Sequence, residues 1–331
     1  MLIIVGASLI PDAPTNWRFI PMVKNSLLLK NRKESLRKLR MRETLTAFGF
    51  ISPWLIGFLV FTGGPIIASL GLSFFSWKML TPPKFIGLTN YINMFTTDQL
   101  FKTSIGVTAT YVLIAVPIAQ VIALGLAILL NQNIRLSSFW RTVFYVPAII
   151  SGVAGAVIWR WMYHNELGMI NNLLSMVGIA GPHWLYDKQW ALMALIIKSL
   201  WNVGVPMVIY LAGLQGLPKF LYEAAEIDGA GEFVKFKHIT LPLLTPVIFF
   251  NVVMAIIGGI QTFSEPYVMT AGGPQNATLF LGLHLYQSAF SYMKMGYASA
   301  MAWIMFAFIL GLTILQFKLA NKWVYYENTE S

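Results

Sequence analysis

Six long apolar segments, separated by short polar stretches, dominate the chain. They cover roughly residues 46–76, 104–130, 139–162, 190–213, 241–263 and 297–320, and each holds the ~20 residues that a helix needs to cross a bilayer. Several contain Gly and Pro, which membrane helices tolerate. The pattern therefore predicts an all-α polytopic membrane protein with six transmembrane helices. The first segment is longer than a straight span requires, so we expect it to tilt or to break near the sequence TGGP.

Two further apolar stretches are too short to span a bilayer. The opening sequence MLIIVGASLI also lacks the basic flank of a secretory signal, which leaves two candidate starts, Met1 and Met22. The sequence LFLGLHLYQSAFSY, at about residues 279–292, lies between the fifth and sixth spans. It predicts a helix lying at the outer interface, and a surface-lying filler is the alternative.

Composition agrees with a lipid environment. Of the 331 residues, 57% are apolar and 11% are charged, whereas about a quarter of a soluble domain is charged. The absence of Cys excludes disulfides and thiolate-bound metals. The four His residues are too scattered for a ligand cluster: His164, His183, His238 and His284. No nucleophile–base pair stands out, so we predict no catalytic residue, no metal site and no enzyme activity.

The formal charge of +10 has two interpretations, a nucleic-acid partner or basic cytoplasmic loops. If the N-terminus is cytoplasmic, sixteen bases lie in inside segments: Arg18, Lys24, Lys30, Arg32, Lys33, Arg37, Lys38, Arg40, Arg42, Arg135, Arg141, Lys219, Lys235, Lys237, Lys318 and Lys322. Five lie in outside segments: Lys78, Lys84, Lys102, Lys188 and Lys294. This asymmetry predicts that both termini face the cytoplasm, and it explains the charge without a nucleic-acid partner.

This topology places the polar sequence LYEAAEIDGAGEFVKFKHITLPLL, residues 221–244, in the cytoplasmic loop between the fourth and fifth spans. Apolar and small residues recur at four-residue spacing from Leu217, and Asp228-Gly229 then indicates a helix stop with a tight turn. A second short helix or ramp is expected to lead to Pro242, where the fifth span begins. Such a helix suits docking into another protein, and a generic amphipathic loop is the alternative.

The spacing within this loop matches a known signature over Glu223-Ala224-Ala225, Gly229, Ile239 and Leu241-Pro242. It resembles the EAA signature of the permease subunits of bacterial ABC importers. The resemblance implies that the loop at residues 217–242 forms a coupling helix, which sits in a cleft of a cytoplasmic ATPase and transmits its closure to the spans.

The resemblance also implies a role for each residue of the signature. Glu223 would pair with a basic residue of the ATPase, and Ala224 and Ala225 would permit close approach. Gly229 would make the turn. Asp228 either closes the turn internally or contacts the ATPase. The alternative is that Ala and Gly merely suit a helix and its turn.

Longer stretches narrow the resemblance to the carbohydrate-uptake branch of these permeases, including subunits similar to the maltose permease. They include GLQGLPKFLYEAAEIDGAG, FKHITLPLLTP and YVMTAGGPQNAT, and the likeness runs from about residue 46 to the end. The implied organisation is a basic cytoplasmic segment at 1–45, a six-span permease domain at 46–320 and a cytoplasmic tail at 321–331. Only a short loop separates the first two spans, so the large extracytoplasmic domain of some relatives is missing.

The chain holds no phosphate-binding G-x-x-x-x-G-K-[ST] sequence, so another protein must bind the ATP that drives transport. The resemblance implies which partners complete the transporter. They are two copies of an ABC ATPase subunit that bind ATP and Mg²⁺, a second six-span permease subunit and an extracytoplasmic solute-binding protein. The substrate would be a sugar, the location a bacterial cell membrane, and this chain itself would bind no cofactor. A stand-alone secondary transporter or channel is the alternative. The spans contain no paired carboxylates that could transfer protons, which argues against it.

The sugar path should be lined by polar and aromatic residues of the later spans, since polar groups are costly in lipid and aromatic faces cover sugar C–H surfaces. The candidates are Trp201, Asn202, Asn251, Gln261, Thr262, Phe263 and Glu265. Interhelical packing or headgroup anchoring is the alternative for each. Lys198, in the fourth span, is expected to snorkel outward, with a place in the aqueous cavity as the alternative. Arg160 is expected at an interface.

Overall fold

The structure, a computed structural model, describes residues 25–132 and 134–325, with side chains from residue 39 onward apart from residue 40. The opening apolar sequence and Met22 lie outside the described residues. The chain divides into two compact units, one ending at Ile66 and the other beginning at Ile67.

The first unit is built from one long helix. α1 spans Asn25–Phe58, a π-helical segment spans Leu59–Gly63, and α2, Gly64–Leu72, begins in this unit. The break expected near TGGP is absent, and the helical run shows instead a change from α to π hydrogen bonding there. Its cause is Pro65, which has no N–H to donate and crowds the preceding turn. Gly64 fits there because a Cβ would lie 2.7 Å from the Leu59 carbonyl oxygen.

The second unit is almost entirely helical. Its helices are α3 Thr89–Thr96, α4 Gln99–Asn131, α5 Ser137–Ile149, α6 Gly152–Met162, α7 Met169–Met176, α8 Lys188–Leu200, α9 Gly204–Gln215, α10 Lys219–Ile227, α11 Glu232–Lys235, α12 Leu241–Ile260, α13 Ser264–Met269, α14 Leu281–Tyr286 and α15 Met295–Ala320. π-helical segments at Phe236–Thr240 and Gln287–Ser291 follow α11 and α14. Strands β1, Phe75–Ser76, and β2, Lys84–Phe85, pair antiparallel.

Judged by length and composition, the described residues contain four helical runs that could cross a bilayer, and six spans if each of two bent pairs forms one. The four runs are Met41–Leu72, Gln99–Asn131, Glu232–Met269 and Met295–Ala320, and the third includes a short non-helical stretch at 261–263. The third predicted span is instead the pair α5 and α6, bent by 100°, and the fourth is the pair α8 and α9, bent by 42°. An all-α membrane fold is thus confirmed, while the breaks in these two spans were not predicted.

Proline and glycine residues lie at the points where the two bent spans break. Ile150 and Ser151 adopt extended backbone between α5 and α6, shortly after Pro147 has removed a hydrogen-bond donor from the last turn of α5. Between α8 and α9, Gly204 and Pro206 start the new helix, where a missing N–H is tolerated in the first turn. A Cβ at Gly204 would lie 2.3 Å from the Phe144 carbonyl oxygen, so glycine permits direct backbone contact between α9 and α5.

The described residues of the second unit form four buried apolar clusters, of which the two largest join most of its long helices. The first joins the early part of α4 to α6, α8 and the α13–α14 region, with fully buried Tyr163 and Phe280. The Tyr163 hydroxyl donates to the Ala194 carbonyl oxygen at 2.9 Å. The second joins the later part of α4 to α9 and α12, where Ala127 and Met207 are fully buried. Small residues on α4 let the helices approach closely, as is usual in membrane bundles.

The prediction of an outer interfacial helix at about residues 279–292 is wrong, and the alternative of a surface-lying filler does not hold either. α14 is helical as expected, but Leu281, Leu283 and His284 are buried, and Leu283 belongs to the first cluster. The apolar character of this stretch therefore reflects burial within the protein. Composition alone could not separate the two environments, because lipid interfaces and protein interiors favour the same side chains.

Candidate functional site

The signature loop folds into a short helix with a defined stop. α10 ends at Ile227, and Gly229 follows with φ of +76°, a conformation that side-chain-bearing residues rarely adopt. The Ala230 N–H donates to the Ala225 carbonyl oxygen at 2.9 Å, and the Gly229 N–H donates to that of Glu226 at 3.0 Å. These two bonds form a Schellman motif, which confirms the predicted helix stop.

One face of α10 is exposed and mixes apolar with acidic side chains. Phe220, Glu223, Ala224 and Ile227 follow the i, i+3, i+4, i+7 spacing that places residues on one side of a helix. Phe220 is 65% exposed and Ile227 is 87% exposed. Glu223 is exposed too, and its side chain has no hydrogen bond or ion pair with any residue that the structure describes. We call these four residues the docking face.

The other signature residues border the docking face. Ala225 is half-buried, so it lies on the side that faces the protein. Asp228 is exposed, and within the described part of the chain its carboxylate closes no turn through a side-chain bond. The turn is closed by backbone bonds instead, which leaves the Asp228 carboxylate available to a partner.

A second face of α10 is tied to the chain that leads into α12. The Lys235 Nζ lies 2.8 Å from the Glu226 Oε1 and 2.6 Å from the Glu232 Oε1. The Tyr222 hydroxyl lies 2.8 Å from the Thr240 Oγ1. The ramp predicted to end at Pro242 is helical and runs into α12 without a break, because α11, the π segment and α12 are continuous.

A cavity of about 370 Å³ lies between the helices of the second unit. Its polar lining residues come from α4, α8, α13 and the segments that follow α8 and α12: Tyr111, Gln120, Ser199, Asn202, Thr262 and Glu265. Hydroxyl, amide and carboxylate groups of this kind hydrogen-bond to the hydroxyls of a polar solute. We call this space the central cavity.

A buried ion pair stands beside the central cavity. The Lys198 Nζ donates to the Glu265 Oε1 at 2.8 Å, and the Lys198 side chain is only 2% exposed against 25% for Glu265. The prediction that Lys198 snorkels outward is therefore wrong. A buried ammonium needs a counter-ion, and Glu265, distant in sequence on α13, provides it. Lys198 does not line the cavity, so the carboxylate is the charged group presented there.

Three of the seven predicted path residues line the central cavity, namely Asn202, Thr262 and Glu265, and four do not. Those four are placed as follows: Trp201 packs on Trp159 with ring centroids 6.0 Å apart, Asn251 is buried, Gln261 is exposed, and Phe263 packs on Tyr286 at 4.9 Å. Aromatic packing thus accounts for two of them, in line with the alternative of interhelical packing.

Sequence reasoning missed Tyr111 and Gln120, which α4 brings to the central cavity. The Gln120 Oε1 accepts a hydrogen bond from the Tyr210 hydroxyl at 2.6 Å. A usable signal existed, since Gln120 is the only amide side chain in the predicted span at 104–130. The prediction considered only the later spans and therefore missed this residue of the second span.

A second polar cluster joins α4, α14 and α15. Asp98 caps α4 by accepting from the Phe101 N–H at 3.1 Å, and its other oxygen accepts from the Tyr297 hydroxyl and lies 3.3 Å from the His284 Nε2. Burial alone would raise the pKa of Asp98, but these hydrogen bonds outweigh it and hold the pKa below its usual value. A cavity of about 400 Å³ adjoins the cluster.

Comparison with known proteins decides the family. Residues 121–324 match the family described as binding-protein-dependent transport system inner membrane component. The probable ABC transporter permease protein YesP of Bacillus subtilis (strain 168) is 45% identical over 313 residues, which are 93% of this chain and all of that protein. The chain belongs to this family. The permease is therefore a multi-pass transport component and not an enzyme.

Other similar proteins agree with this assignment. The lactose transport system permease protein LacF of Rhizobium radiobacter is 35% identical, over 82% of this permease and 93% of that protein. A bacterial ABC transporter that imports the acidic polysaccharide alginate has the same fold, with a TM-score of 0.74 at 23% identity over 87% of the permease and 99% of its chain. A bacterial alginate ABC transporter in complex with an alginate pentasaccharide-bound periplasmic protein gives a TM-score of 0.72 at 20% identity, over 86% of the permease and 96% of its chain.

Proposed function

We propose that this chain is the permease subunit of an ATP-driven, binding-protein-dependent sugar importer, in which it forms half of the translocation path and couples to a separate ATPase. The docking face carries the proposal. It combines the EAA spacing with an exposed acid and two exposed large apolar residues, whereas Leu221 and Tyr222 on the same helix are half-buried. An exposed apolar surface around one unpaired charge suits a protein partner.

The partner at the docking face is a cytoplasmic ABC ATPase, present in two copies that bind ATP and Mg²⁺. Glu223 pairs with a basic side chain there, Ala224 allows close approach, and Phe220 and Ile227 enter apolar parts of the cleft. Asp228 is free to make a further contact. A pair of ATPase subunits offers two clefts and this chain provides one such helix, so a second permease subunit completes the assembly.

The central cavity supports a sugar as the transported solute. Tyr111, Asn202, Thr262 and Glu265 offer hydrogen bonds to hydroxyl groups next to an aromatic ring, which is the chemistry that sugars require. LacF is named for lactose, and the structurally similar transporter imports alginate with a periplasmic protein. An extracytoplasmic solute-binding protein therefore delivers the sugar at the end of the permease opposite the docking face.

The orientation follows from the distribution of basic residues, with both termini and α10 in the cytoplasm. The chain has no Cys, so single cysteines can report it directly. Gly231→Cys should react with membrane-impermeant thiol reagents only from the cytoplasmic side, whereas Asp187→Cys and Asn276→Cys should react from outside. Reaction of Gly231→Cys in intact cells would exclude both this orientation and contact with an ATPase.

Reconstitution tests the energy source. Proteoliposomes holding the permease with its second permease, ATPase and binding protein should accumulate sugar only with internal ATP, and the permease alone should not. A proton or sodium gradient that sufficed without ATP would support the stand-alone transporter instead. Glu223→Lys should abolish uptake in the complete system, because a like-charge contact would replace an attraction, and a charge reversal on the ATPase should restore part of it.

A further inference from the structure

α10 is attached to the rest of the permease without an apolar core, although the proposed function requires it to transmit force. None of its residues is buried, so no apolar core fixes it in place. The turn that follows it contains Gly229 and Gly231, and glycine gives a turn little stiffness. Some other contact must hold the helix if a push on the docking face is to reach the spans.

The first such contact is an ammonium shared by two carboxylates. Lys235 is 6% exposed, although both of its partners, Glu226 on α10 and Glu232 on α11, are largely exposed. The lysine therefore lies beneath the loop and joins the two helices across the glycine turn. Exposed carboxylates gain little stability from such pairs, so the contact matters more for geometry than for folding.

The second contact reaches further along the chain. The Tyr222 hydroxyl bonds to the Thr240 hydroxyl, and Thr240 is 8% exposed at the end of the π segment that leads into α12. Tyr222 and Glu226 lie four residues apart, one turn above the other on the same side of α10. That side differs from the docking face, so an ATPase can occupy one side while the other stays tied.

We infer that Tyr222, Glu226, Lys235 and Thr240 form a clasp that makes the coupling helix and the fifth span move as one body. The inference rests on the proposed function, since it assigns a role to side chains that do not touch the ATPase. Lys235 is its central positioning residue. The helical run from α11 through the π segment to α12 is unbroken from Glu232 to Ile260, so motion imposed at the clasp is delivered at the far end of α12.

The test uses the assembled complex of permease and ATPase, with Gln261→Cys as the reporter. Gln261 is exposed, directly follows α12 and does not line the central cavity. We measure how fast this cysteine reacts with a maleimide, first without nucleotide and then after trapping with Mg-ATP and vanadate. The difference between the two rates measures how much ATPase closure reaches the far end of the span.

Lys235→Met should reduce that difference about five-fold, because it removes one charge-assisted hydrogen bond between the two helices. Lys235→Met combined with Thr240→Val should abolish the difference. The ATPase should still co-purify and hydrolyse ATP at its basal rate. Lys235→Arg should restore the response, because a guanidinium also spans two carboxylates. Lys237→Met is the matched control, since Lys237 is exposed and has no ion pair among the described residues, and it should behave as the parent does.

A parental response in the Lys235→Met/Thr240→Val variant would overturn the clasp. Loss of the ATPase from Lys235→Met that Lys235→Arg failed to restore would overturn it as well, because lysine would then act in assembly. Glu223→Lys separates this failure from failure of the proposed function. If Glu223→Lys also kept the parental response, α10 would not be the coupling element at all.

Discussion

The docking face carries a charged side chain without a partner among the described residues, whereas the two charges of the Lys198–Glu265 pair neutralise each other. Glu223 is exposed and has no partner among the described residues, whereas Lys198 is 2% exposed and bonds to Glu265 at 2.8 Å. A charge in a membrane interior must be matched within the chain, because lipid offers no partner. A charge left unmatched at an aqueous surface remains free to recognise another molecule. The difference separates side chains that fix the shape of the bundle from those that recognise a partner.

Loss of the interior pair should have the largest effect. Lys198→Met leaves the Glu265 carboxylate without its counter-ion, so we expect a loss of about 2–3 kcal/mol, at the low end for a buried pair because Glu265 is one-quarter exposed. Thermal unfolding in detergent measures it. Lys198→Met with Glu265→Gln should recover most of the loss, and Lys188→Met, at an exposed lysine of the same helix, should cost almost nothing. Equal stabilities of the two single lysine variants would contradict the pairing.

The signature turn provides the next test, at the exposed side of the comparison. Gly229→Val forces a branched residue into positive φ, which costs about 1–2 kcal/mol, and we expect an uptake loss of about ten-fold. A Cβ at Gly229 meets nothing within 4 Å, so the effect is conformational and not steric. Gly231→Val is the matched control, because Gly231 has φ of −70° and equally open surroundings. Similar uptake by both variants would show that the turn geometry does not matter.

The cluster around Asp98 tests whether other interior polar groups behave as Lys198 does. The folded state lowers the pKa of Asp98, so its stabilisation is present above the unfolded value near pH 4 and is lost as the pH falls through the folded value. Asp98→Asn should therefore lower stability by about 1 kcal/mol at pH 7, with the two proteins converging in acid. Unfolding temperatures measured from pH 7 to pH 3 check this. A constant gap across that range would point to lost packing instead of lost charge.

The smallest effect is expected at the central cavity, where polar side chains of several elements meet. Asn202→Ala should weaken uptake about three-fold through one lost hydrogen bond to the sugar, with assembly and stability unchanged. Gln261→Ala should have no effect, because Gln261 does not line the cavity. Initial uptake rates over a range of sugar concentrations separate the two. If only Gln261→Ala lowered uptake, the path would run elsewhere.

Patterns that depend on neighbours in sequence were predictable. The apolar runs indicated the spans, and Asp228-Gly229 indicated the helix stop that the Schellman motif then confirmed. These features are set by backbone geometry and by the length of a bilayer-crossing helix, both of which act locally. The sequence could also support the family, because the EAA spacing is itself a local pattern.

Features that depend on distant residues were not predictable. Lys198 and Glu265 are far apart in the chain, and only the packing of α8 against the α13 region shows that the lysine is paired and not snorkelling. The breaks at Ile150 and Gly204 required tertiary contacts to decide whether proline and glycine interrupt a span or are merely tolerated in it. Phe263 and Trp201 looked suited to a sugar path, but their ring partners come from other elements.

The close approach of Gly204 to the Phe144 carbonyl oxygen limits which residues position 204 can accept. Even the Cβ of Ala at position 204 would lie 2.3 Å from this oxygen. The oxygen belongs to the backbone, so no change of side-chain rotamer can remove the clash. The next residue, Val205, is 44% exposed and meets no such limit. A saturation-mutagenesis library selected for uptake should thus keep only glycine at position 204 while accepting many apolar residues at 205. Two adjacent codons would differ sharply in tolerance because one lies where two helix backbones meet.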